Sequence, residues 1–101
     1  MIVNISSDAG SMAKNNEGNA YIYRTSKSAL NSITKNMSVD LFNRYKITVF
    51  AIDPGNVKSG MNPKGMIETE VCANLIINLI TSYGKKLNGK FVDLLNNKIP
   101  W

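Results

Sequence analysis

A chain of 101 residues and 11.1 kDa holds one domain at most, and 44% hydrophobic with 19% charged residues is a globular composition. The absence of histidine and the single cysteine, Cys72, exclude Ser-His-Asp triads, His-based metal helices, internal disulfides and CxxC pairs. The net charge of +5 comes from scattered residues, with Lys85-Lys86 the only adjacent basic pair, and no aromatic residues interleave with a basic run. This pattern argues against a nucleic-acid partner and for a solvated surface.

In chain order, residues 2–6 form a short β-rich run that ends in a polar loop over 7–19, where Gly10, Gly18, Ser, Asp and Asn cluster. From about 20 to 44, apolar or small residues fall at 22, 26, 29, 30, 33, 37 and 41, a helical spacing over some six turns. Residues 47–52 are a continuous apolar, β-branched run, as expected of a strand buried on both faces. Asp53-Pro54-Gly55 supplies turn chemistry at its end. An irregular Pro- and Gly-bearing loop over 54–66 leads into a second helix over 67–83, with Ile67, Val71, Leu75, Ile76, Leu79, Ile80 and Tyr83 on one face. Gly84 then stops this helix, and residues 90–95 make the last strand.

The order β-α-β-α-β predicts an α/β fold with parallel strands joined by right-handed helical crossovers. Two crossovers of one hand put both helices on the same side of the sheet. The other face is then bare, although strand 47–52 calls for cover on both. No apolar run reaches the ~18 residues of a membrane span, and the first residues, MIVNISSDAG, lack the basic and apolar regions of a signal peptide. With the lone cysteine, a cytoplasmic setting fits best.

Tyr23 and Lys27 stand four apart and project from one face of the long helix. A tyrosine with a solution pKa near ~10 does acid-base work at neutral pH only if its phenolate is stabilised, which a neighbouring ammonium does. Such a tyrosine can give a proton to a carbonyl oxygen or take one from an alcohol. Ser7 closes the first strand at the end where α/β proteins bind ligands, and its hydroxyl can hydrogen-bond a substrate oxygen. Asp53-Pro54-Gly55 leaves the next strand in the same crevice, with a glycine that permits close backbone approach. Each feature alone is ordinary: a packing pair, a serine in a turn, a turn.

Taken together they are specific. Asn4-Ile5-Ser6-Ser7-x-x-Gly10, Tyr23-x-x-x-Lys27 and Pro54-Gly55-x-Val57-x-Ser59 resemble the C-terminal half of a short-chain dehydrogenase/reductase. The stretch from Tyr21 to Asn31, the segment Ser38 to Leu41 and the ending Ile99-Pro100-Trp101 are most similar to its sniffer-like and C-factor-like carbonyl reductases.

The resemblance implies that residues 1–101 are the C-terminal catalytic portion of a doubly wound Rossmann domain lacking its first βαβ units. It implies reduction of a carbonyl to an alcohol with NADP(H) or NAD(H), the former slightly preferred. Ser7 and Tyr23 would bind substrate, and Ser7, Tyr23 and Lys27 would be catalytic. Tyr23, Lys27, Pro54, Gly55, Val57 and Ser59 would bind cofactor, and no metal is implied. Ser59 stands where the family usually has threonine, which keeps the hydroxyl. Tyr21 is a second tyrosine, but its spacing to Lys27 is wrong.

The family's glycine-rich phosphate turn is missing from the sequence, and so is its Asn-Asn-Ala-Gly strand. Residues 1–101 alone are therefore expected to be marginally stable, with an open edge at the first strand, weak cofactor affinity and negligible turnover. The partners implied are a small carbonyl or alcohol and, through the long helix 20–44, a second copy. The competing reading is a non-catalytic remnant that uses this helix and the open edge for interaction. Met61, Met66 and Ile67 are candidate substrate contacts.

Overall fold

Three parallel strands in the order β1-β2-β3 organise the chain, whose computed structural model describes residues 1–101. β1 (Ile2–Ile5) leads through a 3-10 turn at Asp8–Gly10 to α1 (Tyr21–Tyr45). β2 (Val49–Asp53) follows, then α2 (Thr69–Tyr83), a second 3-10 turn at Gly84–Leu87 and β3 (Phe91–Asp93). This is the expected α/β order, with no boundary shifted by more than two residues. Lys46 adopts a left-handed conformation and caps α1 by donating to Leu41 and Phe42 carbonyls, which delays β2 until Val49. β3 stops early because the Asp93 carboxylate accepts from the backbone N–H of Leu95 and Asn97, folding the chain into a turn.

The pairing register sets Ile2 beside Val49 and Ile5 beside Ile52, then Ala51 beside Phe91. Ile2 donates its backbone N–H inward to the Thr48 carbonyl, just before β2, and Ser6 donates to Ile52 within it. Parallel geometry then turns the backbone groups of Val3 and Ile5 toward the outer edge. β2 lies between the other two strands, and Val49, Phe50, Ala51 and Ile52 are each 0% exposed.

The helices lie on opposite faces of the sheet, contrary to the same-side arrangement expected from crossovers of one hand. Asn4 and Ser6 turn toward α1, where they hydrogen-bond Thr34 at 2.8 Å and Asn31 at 2.6 Å. Their neighbours alternate to the other face, where Val3, Phe50, Ile52 and Val92 pack with Leu79, Ile76, Ile80 and Leu87. A sheet that advances steadily from β1 to β3 with helices on both sides has crossovers of opposite hand. Burial decides the matter: the doubly apolar β2 gains a cover on each face, and the long segment between β2 and α2 lets the chain pass over the sheet's end. On the α1 side, Phe91, Ala51 and Ile99 form a second small core, and Trp101 stacks on Phe91 with ring centroids 5.4 Å apart.

The inner side of α1 is polar. Asn31, Thr34 and Ser38 are its buried residues, whereas Ile22 is 88% and Ile33 53% exposed. Short polar side chains suit this surface because backbone comes very close to it. A Cβ on Gly10 would stand 2.8 Å from the Lys27 carbonyl carbon and 2.9 Å from Asn31 Nδ2. Gly10→Ala is therefore expected to cost about 1–3 kcal/mol through overpacking, read as a lowered midpoint in urea unfolding. On α2 the buried face is turned slightly from the expected one, with Cys72 buried and Val71 and Tyr83 left exposed.

Candidate active site

α1 runs back along the sheet, so its first turns lie at the C-terminal end of β1. Two left-handed residues, Asn19 and Ala20, precede Tyr21 and turn the loop into the helix. Tyr23 and Lys27 follow one turn apart. Lys27 Nζ donates to the Ile5 carbonyl at 3.0 Å and stands 5.8 Å from the centroid of the Tyr23 ring. The same ammonium thus bonds an outward-facing carbonyl of β1 and lies over the ring of the tyrosine, which is half exposed.

Ser7 lies two residues beyond Ile5 in extended backbone and caps the 3-10 turn. Its Oγ accepts from Ala9 N–H at 3.1 Å and donates to the Asp8 carboxylate at 3.4 Å. Both are local bonds, and the longer, exposed one is readily exchanged for a bond to another oxygen. Ser7, Tyr23 and Lys27 therefore gather at one end of one strand.

Past β2, Gly55 adopts φ +73° and donates its N–H to the Asp53 carboxylate, an arrangement that suits glycine. The loop after it folds back on itself. Val57 bridges Ile67 in parallel, Lys58 N–H donates to the Ile67 carbonyl at 2.7 Å, and a Cβ on Gly65 would lie 2.4 Å from the Val57 carbonyl oxygen. Ser59 Oγ accepts from Asn62 N–H at 3.3 Å within this loop. Met61 and Met66 are almost fully exposed on it.

Two apolar hollows flank Pro54. One, about 340 Å³, is lined by Ile5, Pro54, Val57, Thr69, Cys72, Ala73 and Ile76. The other, about 400 Å³, lies between Gly55, Ile67, Leu75 and Leu94. The first shares Ile5 with Lys27, which bonds that residue's carbonyl, while neither Tyr23 nor Lys27 lines it. Pro54 and Val57 wall it, Pro54, Gly55 and Ile67 line its neighbour, and Ser59 lines neither. Sequence reasoning missed Thr69, Cys72, Ala73 and Ile76, whose only signal was their spacing on α2. Burial pushes the Cys72 thiol up from its ordinary value.

The short chain dehydrogenase family model matches residues 1–69, which carry Ser7, Tyr23, Lys27 and the loop from Pro54 to Ser59. The chain belongs to the short-chain dehydrogenase family. Among curated relatives, this short-chain dehydrogenase chain is 32% identical to C-signal of Myxococcus xanthus, over 99% of its own length and 60% of the relative's. Among solved structures it is similar to the carbonyl reductase Sniffer of D. melanogaster, at 39% identity and a TM-score of 0.89, covering 99% of this chain and 40% of that one. An NADPH-bound carbonyl reductase from chicken fatty liver superposes with a TM-score of 0.80 at 29% identity, covering 99% and 42%. The chain thus spans between two-fifths and three-fifths of the length of these relatives, and it reproduces the parallel β-α-β-α-β part of their Rossmann fold. No helix in it is long and apolar enough to cross a membrane.

Proposed function

We propose that residues 1–101 are the catalytic portion of an enzyme that reduces a small carbonyl compound to an alcohol with NADP(H). One observation carries this reading: Lys27 joins the Tyr23 ring to Ile5, a wall residue of the apolar hollow. The hollow's apolar surface suits a nicotinamide ring, and Lys27, bonded to the Ile5 carbonyl, is the donor offered to its ribose hydroxyls. NADP(H) is favoured over NAD(H) because the chicken relative holds NADPH. When bound, the nicotinamide supplies a hydride to the carbonyl carbon.

Tyr23 gives its phenolic proton to the carbonyl oxygen, and the Lys27 ammonium stabilises the negative charge that develops on the phenol. Ser7 exchanges its bond to Asp8 for one to the same carbonyl oxygen, holding the substrate and stabilising charge on it. Pro54 and Val57, placed by the turn at Gly55, would hold the nicotinamide, and the Ser59 hydroxyl would bond its carboxamide in exchange for Asn62. Turnover by residues 1–101 alone is negligible, because the glycine-rich turn that holds the cofactor's phosphates is not among them.

Cys72 offers a direct test, since it is the only cysteine among residues 1–101, lines the hollow and can be followed by its own tryptic peptide. Because burial raises its pKa, alkylation by iodoacetamide is expected to be slow near neutrality. It should keep accelerating at pH values where an ordinary thiol has levelled off. Saturating NADPH should slow it further in the protein as the cell makes it. Alkylation indifferent to NADPH, with no NADPH oxidation in the presence of small aldehydes and ketones, would sink the reading.

A second reading is favoured by the outer side of α1, where Ile22 and Ile33 form an exposed apolar stripe. This stripe packs against the same stripe of a second copy, alone or alongside catalysis. Ile33→Arg is expected to convert the dimer to a monomer in analytical ultracentrifugation with little change in thermal midpoint.

A further inference from the structure

We propose that Asn31 is a positioning residue: by holding the Ser6 hydroxyl, it sets where Ser7 lies relative to Lys27 and Tyr23. The proposal rests on the catalytic reading of those three residues. Tyr23, Lys27 and Asn31 follow one another at four-residue intervals along α1 and so share a side of the helix. Asn31 is 3% exposed and Ser6 4%, and Ser6 Oγ donates to Asn31 Oδ1 at 2.6 Å. This bond ties the residue immediately before Ser7 to the helical turn that follows Lys27.

A second tie lies on the other side of Ser7. Ser28 Oγ donates to the Gly10 carbonyl at 2.9 Å, and Gly10 lies so close to α1 that a Cβ on it would stand 2.8 Å from the Lys27 carbonyl carbon and 2.9 Å from Asn31 Nδ2. Ser7 is therefore suspended between Ser6 and Gly10, both seated on the Lys27–Asn31 turn. Its own hydrogen bonds, to Asp8 and Ala9, orient its hydroxyl but attach it to nothing on the helix.

Packing alone does not account for an asparagine here. Asn31 Nδ2 is buried without a hydrogen-bond partner, an arrangement that costs stability. A leucine of similar size would fill the space without that cost. What asparagine adds is a neutral acceptor at the right reach for Ser6.

The test compares Ser6→Ala, Ser6→Thr and the double variant Ser6→Ala/Asn31→Leu in the protein as the cell makes it. Replacing both partners with apolar groups leaves no stranded polar atom, so the double variant should regain the thermal stability that Ser6→Ala loses. The readout of position is proton exchange at the 15N-labelled Lys27 ammonium, slowed by its bond to the Ile5 carbonyl. Exchange is expected to speed up in Ser6→Ala and in the double variant and to return toward the parental rate in Ser6→Thr, which keeps the hydroxyl.

In the double variant kcat for carbonyl reduction is expected to fall about 10- to 100-fold, the range for a misplacement near 1 Å, with the carbonyl KM little changed. Parental Lys27 exchange in the stable double variant would overturn the proposal. So would parental exchange in Ser6→Ala if the double variant does not fold. If the unaltered protein reduces no carbonyl, the catalytic reading fails, while the Lys27 exchange rates still decide whether Asn31 sets this geometry.

Discussion

Tyr23→Phe is expected to lower kcat for carbonyl reduction by about 10²- to 10⁴-fold, the usual contribution of a positioned general acid. The substitution deletes one oxygen and leaves the ring that Lys27 approaches at 5.8 Å. NADPH affinity should fall less than kcat, because only the phenolic oxygen is lost while Ile5, Pro54, Val57 and the α2 residues of the hollow are unchanged. Tyr21→Phe is the internal control: Tyr21 is 80% exposed, and its loss should leave kcat near the parental value. Steady-state NADPH oxidation against carbonyl concentration separates the outcomes. Undiminished turnover in Tyr23→Phe would refute the assigned role, and an equal fall in both variants would point to damage at the start of α1.

The largest effect on stability is expected from Phe50→Ala. Phe50 lies in the central strand at 0% exposure and packs with Ile52, Leu79, Leu87 and Val92. Truncating a buried phenylalanine costs about 3–5 kcal/mol. That is a large share of the ~5–15 kcal/mol that holds a typical domain folded. For a chain of this size it lowers the thermal midpoint by at least about 12 °C. Val39→Ala, on the exposed side of α1, should stay within about 0.5 kcal/mol of the parent in the monomer. Calorimetry on both variants checks the contrast, and a midpoint shift of only a few degrees for Phe50→Ala would mean that this cluster is not the core.

Periodicity located α1 and α2 because a helix that packs on a sheet must repeat its pattern every three to four residues. It did not locate the packed side of α1. There Asn31, Thr34 and Ser38 face β1 and glycine backbone, while the apolar stripe at Ile22 and Ile33 points outward. Hydrophobicity reports what a side chain favours, not which neighbour it meets, so a polar inner seam cannot be told from a solvated face without its partners. The Ser6–Asn31 bond was invisible for the same reason, since its two residues are separated by 25 positions.

The lining of the hollow shows the same division. Pro54 and Val57 could be assigned from their place in a motif, whereas Thr69, Cys72, Ala73 and Ile76 reach the hollow only because α2 docks on the face opposite α1. Crossover hand is decided by how the whole chain covers β2, and no local window of sequence contains that information.

By itself, the sequence determined the element order, the doubly buried character of β2, the Tyr23–Lys27 pair and the turn at Pro54-Gly55. All of these are set by residues within a few positions of one another. The tertiary structure alone decided that α1 and α2 sit on opposite faces, that Lys27 reaches the Ile5 carbonyl, and that Ser7 is held through its neighbours and not through its own hydroxyl. These are relations between segments distant in the chain, and they follow from close packing, where the space left by one element selects what the next can present to it.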